Sequence, residues 1–153
     1  MILPRYRISA STIPGAGLGL FMEEPVPRGR VVVAPDGIAH THDFEELYGN
    51  PELAAQLHSA ARWFEDRFTL SPEWPDECYV NHDFSPNGLW HLGFVFAARN
   101  LAAGEELTVD YRHLLAPGQE ETFRDARTGS PIVGLPWRES LLITSRTLAA
   151  LLA

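Results

Sequence analysis

Between Pro14 and Pro25 the chain reads GAGLGLFMEE, with glycines at 15, 17 and 19. This stretch removes two large classes of nucleotide-binding fold at once. A dinucleotide-binding turn needs G-x-G-x-x-G directly after a strand and opening a helix. Here Leu20 stands where the third fingerprint glycine belongs, and Pro25 and Pro27 follow, which a helix interior does not tolerate. No Gly-Lys-Ser/Thr follows either, so a phosphate-cradling P-loop is excluded. What remains is backbone that needs freedom at alternate positions, as in a packed turn or where a ligand approaches closely. A simple surface hairpin satisfies that description as well as a binding loop does.

The flanking runs are strands and turns. A chain of 153 residues is large enough for one domain with a core of its own. YRISAS, LGLFME and GRVVVAP are short apolar or alternating runs bounded by proline and glycine. NPELAAQLHSAARWFEDRF is different. Asn50 is placed as an N-cap and Pro51 at the first helical position. Leu53, Leu57, Ala60, Ala61, Phe64 and Phe68 then recur at helical spacing, which predicts one amphipathic helix ending before Pro72. Its apolar face carries Trp63, Phe64 and Phe68; Glu45, Glu46, Glu52, Glu65 and Asp66 read as a solvated face that can also draw a basic segment. CYVNH, LWHLGFVFAARNL and ELTVDYR return to strands, and SLLITSRTLAALLA reads as a terminal helix. The pattern predicts a mainly β domain with a helical insertion at about residues 40–75 (helical over 43–68) and a C-terminal tail over about 113–153.

Composition limits the partners. Net charge is −8, which argues against DNA or RNA, because phosphate binding takes a basic patch. The single cysteine, Cys78, excludes an internal disulfide or a cysteine-rich zinc site and suits a reducing, cytoplasmic setting; flanked by Tyr79 and Val80, it reads as a small buried hydrophobe. No leader pattern and no membrane-spanning run of about 20 apolar residues is visible. His40 and His42 form an H-x-H, but with no third partner nearby in sequence the expectation is a solvated loop and no metal.

Two further motifs carry chemistry. YVNHDFSPN, residues 79–87, places Asn81 and His82 at the end of an apolar run. Asparagine offers a donor and an acceptor, and histidine two ring nitrogens, though Asp, Ser, Pro and Asn are also plain turn formers. AAGEELTVDY, residues 102–111, ends on Tyr111, whose hydroxyl is either a packed, satisfied group or one that orients a reactant. Singly these words are weak. In order, with this spacing, GAGLGLF, NHDFSPN and GEELTVDY resemble the SET-domain family, over about residues 4–112.

That resemblance implies a β-clip-like fold of small sheets around a knot-like core. It implies transfer of methyl groups from S-adenosylmethionine to a lysine of a protein substrate, one with an accessible lysine in a basic segment. By position, Ala16, Gly17 and Leu18 match the turn that touches the cofactor by main chain, and Asn81 and His82 match the pair that hold its amino-acid and adenine portions. Tyr111 matches the catalytic tyrosine beside the cofactor at the end of the lysine channel, with Tyr79 and Val109 lining that channel. The departures also matter. Cys78 stands where the family often has arginine, so a buried ion pair is missing. Phe84 replaces a cysteine that in relatives helps ligate zinc, so this is a minimal form without a zinc-binding tail. The tail must then close the channel by other means, with Phe123 or Trp137 stacking on adenine, walling the channel, or serving as ordinary core. Two other readings stay open: a catalytically silent module that binds S-adenosylmethionine or a protein partner, and a β-clip binding domain, which leaves the second and third motifs unexplained.

Overall fold

The computed structural model describes residues 1–36, 40–71 and 73–153. In chain order its strands are β1 (Tyr6–Ala10), β2 (Leu18–Met22), β3 (Val31–Val33), β4 (His42–Asp43), β5 (Ala61–Phe64), β6 (Arg67–Thr69), β7 (Asn81–His82), β8 (Gly88–His91), β9 (Phe94–Ala97), β10 (Thr108–Val109), β11 (Glu120–Arg124) and β12 (Pro131–Val133). Its helices are α1 (Phe44–Gly49), α2 (Pro51–Ala54) and α3 (Trp137–Leu152). The strands form small sheets: β1–β2, β3–β9–β8, β4–β6–β5, β11–β12 and the parallel pair β7–β10. Mainly β architecture with small sheets is the fold expected from the sequence.

The glycine turn closes the β1–β2 hairpin, which pairs from Tyr6 opposite Met22 to Ala10 opposite Leu18. Gly15 and Gly17 sit at φ 81° and 75°, the left-handed region that costs other residues strain. The free edge of β2 receives a segment from far down the chain. The Met22 amide donates to the Glu105 carbonyl and the Leu107 amide to the Leu20 carbonyl, both at distances within normal range (2.9 and 2.8 Å). The same segment runs on as β10, which pairs with β7. Leu20, Met22, Val32, Val95, Leu107 and Val109 form the core at this junction, with Tyr79 and Tyr111 packed on its border. LWHLGFVFAARNL is two strands, β8 and β9, because Leu92 and Gly93 both take positive φ (51° and 82°) and turn the chain back.

The single insertion helix does not form, and this corrects the sequence reading. Asn50 does cap a helix, its Oδ1 accepting the Glu52 amide at 2.9 Å, and Pro51 leads it, but α2 stops at Ala54. After a 3-10 turn at Leu57–Ser59 the chain folds into the β5–β6 hairpin, turning at Glu65 with φ 48°. Tertiary bonds decide this outcome. The Arg62 amide donates to the Leu114 carbonyl at 2.7 Å, and its fully buried guanidinium donates to the carbonyls of Leu135 (2.9 Å) and His113 (3.3 Å). The Trp63 indole donates to the Leu92 carbonyl at 2.7 Å. Trp, Phe and Thr suit a strand, so helical spacing of the apolar positions was outweighed by partners a helix could not reach. Phe68 is buried beside Leu47 as expected, whereas Phe64 is exposed.

The terminal helix forms, and starts earlier than the apolar run suggested. A buried histidine and a half-buried one hold it: His113 Nδ1 lies 2.8 Å from Ser140 Oγ, and His91 Nδ1 lies 2.8 Å from Thr144 Oγ1. Among the described residues no helix is long and apolar enough to cross a membrane.

Candidate functional site

One buried carboxylate organises the glycine turn. Glu106 lies within the segment laid on β2, opposite Phe21, and its Oε1 accepts from Ser11 Oγ at 2.6 Å and from Asn81 Nδ2 at 3.0 Å. Its Oε2 accepts from the Thr12 amide at 2.7 Å and the Thr12 hydroxyl at 2.5 Å. Burial works to raise the Glu106 pKa, but the hydrogen bonds from Ser11, Thr12 and Asn81 outweigh it and hold the carboxyl below its ordinary value. The third glycine of the motif owes its place to this group. A Cβ on Gly19 would overlap Glu106 Oε1 and stand 2.8 Å from its Cδ and 3.2 Å from Asn81 Nδ2. Sequence reasoning missed Glu106, because GEEL reads as turn punctuation and nothing local separates Glu106 from the neighbouring Glu105.

Asn81 spends its amide donors here, on Glu106, on the Leu18 carbonyl at 2.9 Å and on Ser11 Oγ at 3.3 Å. Its Oδ1 accepts no hydrogen bond from the described residues and stays available to a ligand. Asn87 serves the fold instead: its Oδ1 accepts the Thr108 amide at 2.8 Å and its Nδ2 donates to the Glu106 carbonyl at 2.7 Å, clipping β10 in place.

His82 is buried, and its ring positions the next residue of interest. Nδ1 accepts the Tyr111 amide at 3.1 Å, which puts the ring proton on Nε2. Nε2 is buried without a hydrogen-bond partner among the described residues and lies 3.9 Å from Asp125 Oδ2. Burial lowers the His82 pKa, only partly opposed by Asp110, Asp125 and Asp83, so the ring is neutral near pH 7. Nδ1 is thus committed to the fold, while the Nε2 proton is left without a protein acceptor among the described residues. The Tyr111 hydroxyl donates to the Val80 carbonyl at 2.7 Å. Burial, then the negative charge of Glu121 and the Cys78 side chain, push its pKa well above the ordinary phenol value, so it stays protonated. Burial likewise pushes the Cys78 thiol up to about 11, leaving it inert as a nucleophile.

These groups face a cleft of about 1420 Å³. Ala16, Leu18, Tyr79, Asn81, His82, Val109 and Tyr111 all line it; Gly17 does not, and acts by turning the chain between two residues that do. From the tail, Phe123 lines the cleft with its ring 6.3 Å from that of Tyr111, and Glu121 lines it nearby, its carboxyl raised above the ordinary value by burial. Trp137 packs elsewhere, under the Arg62 guanidinium at 5.9 Å. Phe64 is exposed, so Trp63, Phe64 and Phe68 do not form one buried face. Trp137 does not line the cleft, which leaves it the alternative of ordinary packing, whereas Phe123 does line it.

A comparison with known protein families matches the SET domain over residues 17–112, well over half of the 153. The chain belongs to the SET-domain family. Members are generally methyltransferases and typically bind S-adenosylmethionine. The matched region of this SET domain runs from the glycine turn through Asn81 and His82 to Tyr111, and so takes in most of the cleft lining outside β11. Among curated proteins no match is found.

Proposed function

We propose that this SET domain transfers methyl groups from S-adenosylmethionine to a lysine side chain of a protein. The observation that carries the reading is the meeting, at one cleft, of a glycine turn braced by Glu106, the unspent Oδ1 of Asn81 and the protonated hydroxyl of Tyr111. The residues fit the cofactor. Main chain around Ala16 and Leu18 and the Asn81 amide oxygen would hold its charged amino-acid end, and the apolar lining would take its adenosine. When bound, S-adenosylmethionine supplies a methyl group on a positively charged sulfur.

The chain's own residues do the rest. The lysine must arrive as a neutral amine, aligned and shielded from water. Tyr79, Val109 and Phe123 supply apolar wall, which disfavours the ammonium form. Tyr111 keeps its proton and orients the amine through its oxygen, whose lone pairs remain free to accept from it. The proton lost by the amine leaves for solvent, since no side chain of the cleft is a strong base. The exposed acidic residues Glu45, Glu46 and Glu52 favour a basic substrate segment.

Calorimetric titration with S-adenosylmethionine, followed by mass spectrometry of lysine-bearing peptides incubated with enzyme and cofactor, tests the reading. Binding with new methyl-lysine is expected, and Asn81→Ala should weaken binding by roughly tenfold to a hundredfold, the worth of a hydrogen bond to a charged group. Absence of binding overturns the proposal. Binding without methylation of any peptide would favour the silent module, and a tight-binding Asn81→Ala would remove that residue's role.

A further inference from the structure

His40 and His42 acquire the third partner that the sequence did not show. His42 lies in β4, His40 two residues before it, and Glu46 in the first turn of α1. Asp43 between them caps that helix, its Oδ1 accepting the Glu46 amide at 2.7 Å, and so fixes where Glu46 emerges. The two imidazole rings stand 4.6 Å apart, edge to face at 78°. One donor atom from each of His40, His42 and Glu46 lies within 4.8 Å of the other two. His42 Nδ1 is 2.9 Å from Glu46 Oε1, yet this buried nitrogen has no hydrogen-bond partner among the described residues. The contact is close, but the ring nitrogen is not aimed at the oxygen. That leaves a buried, unpartnered ring nitrogen within reach of two other potential ligand atoms.

We propose that His40, His42 and Glu46 bind a zinc(II) ion on the wall of the cleft. Around a tetrahedral zinc with bonds of about 2.0–2.1 Å, neighbouring donors stand roughly 3.3 Å apart, inside the range these side chains already span. Two neutral imidazole nitrogens and one carboxylate oxygen suit zinc, whereas magnesium and calcium ask for oxygen ligands throughout. Three protein ligands leave a fourth position open. Both histidines line the same cleft as Asn81 and Tyr111, and His40 and Glu46 are exposed, which gives the ion a path in from solvent. The ion would tie the start of β4 to α1 and place positive charge on that wall of an acidic protein. The site is independent of methyl transfer, and its test needs neither cofactor nor substrate.

The test is a titration of the tag-free protein with zinc sulfate, read by calorimetry and by competition with a chromophoric chelator. One equivalent is expected to bind, with magnesium giving no signal. His40→Ala and Glu46→Gln should each weaken binding by more than the roughly 10–100-fold that loss of an outer partner costs. His58→Ala, a histidine stacked on Trp74 outside the cluster, should leave binding unchanged. Melting curves of the variants in chelator should match the parent, since His40 and Glu46 are surface residues. X-ray absorption of the zinc form should show nitrogen and oxygen neighbours at about 2.0–2.1 Å and no sulfur. Failure to bind zinc, or affinity kept within tenfold in His40→Ala, or an equal loss in His58→Ala, overturns the site.

Discussion

Gly19 shows how a single hydrogen in place of a methyl group can decide a site. Its Cα passes so close to the Glu106 carboxylate and the Asn81 amide that any Cβ displaces one of them. Gly19→Ala is therefore expected to destabilise the fold by about 1–3 kcal/mol, the cost of leaving a buried polar group poorly paired. It should also weaken S-adenosylmethionine binding, because Asn81 loses its brace. Denaturant unfolding and calorimetry read the two effects, and an unchanged midpoint would show that the clamp yields freely. Tyr111→Phe is expected to separate binding from turnover. The lost bond to the Val80 carbonyl costs about 1 kcal/mol of stability, cofactor affinity stays, and methyl transfer stops. Full turnover in that variant would take the hydroxyl out of the chemistry. At Val109 the expectation concerns the product. Resemblance to the family implies a tyrosine at this position where transfer stops after one methyl, but Val109 is buried, small and without a hydroxyl. Products beyond monomethyl-lysine should accumulate with excess cofactor, unless Tyr79, on the same cleft, supplies the missing hydroxyl. Mass spectrometry of a fully reacted peptide decides it, and a lone methyl at long times would assign the limit to another residue.

Among the elements, α3 carries a built-in dependence on pH. Its buried Ser140 and Thr144 bond His113 and His91, and burial lowers the pKa of both histidines. The unfolded chain takes up protons on these groups below about pH 6.5, where the folded chain still resists them. Stability is then complete above that pH and falls as the pH drops through and below it; His82 adds to the same trend. Thermal melts at pH 7.5 and 5.5 should show a lower midpoint at the acidic value, before the carboxylates titrate. A flat profile would mean these histidines titrate alike in both states. The strands around the glycine turn and the terminal helix were legible in the sequence because their signals are local: alternation, proline and glycine punctuation, and recurring apolar residues. CYVNH, read as a strand, is a 3-10 turn at Asp76–Tyr79 with strand only at Asn81–His82. The insertion was not legible. Residues 53–68 keep helical spacing, yet Arg62 and Trp63 find carbonyls on segments that no local pattern reveals. The site divides the same way. Asn81, Tyr111 and the residues beside Gly17, all of which line the cleft, are marked by their motifs, whereas Glu106 and the partner of the two histidines became visible only in three dimensions.

Across the whole molecule, the bonds that define the cleft join residues far apart in the chain. Ser11 and Glu106 are separated by 95 positions, Asn81 and Leu18 by 63, and Arg62 and Leu135 by 73. Such long closures predict slow refolding, on the scale of milliseconds to seconds, in stopped-flow tryptophan fluorescence. A microsecond phase carrying the full amplitude would contradict it. The same separation bears on birth at the ribosome. At roughly 5–20 residues per second, the carboxylate of Glu106 is polymerised about 5–20 s after Ser11. Through that interval the nascent hairpin holds its hydroxyls, its glycine turn and the apolar edge of Leu20 and Met22 without the strand that covers them. The newborn protein therefore passes through a stage in which its most sensitive surface lies bare to chaperones and to other growing chains.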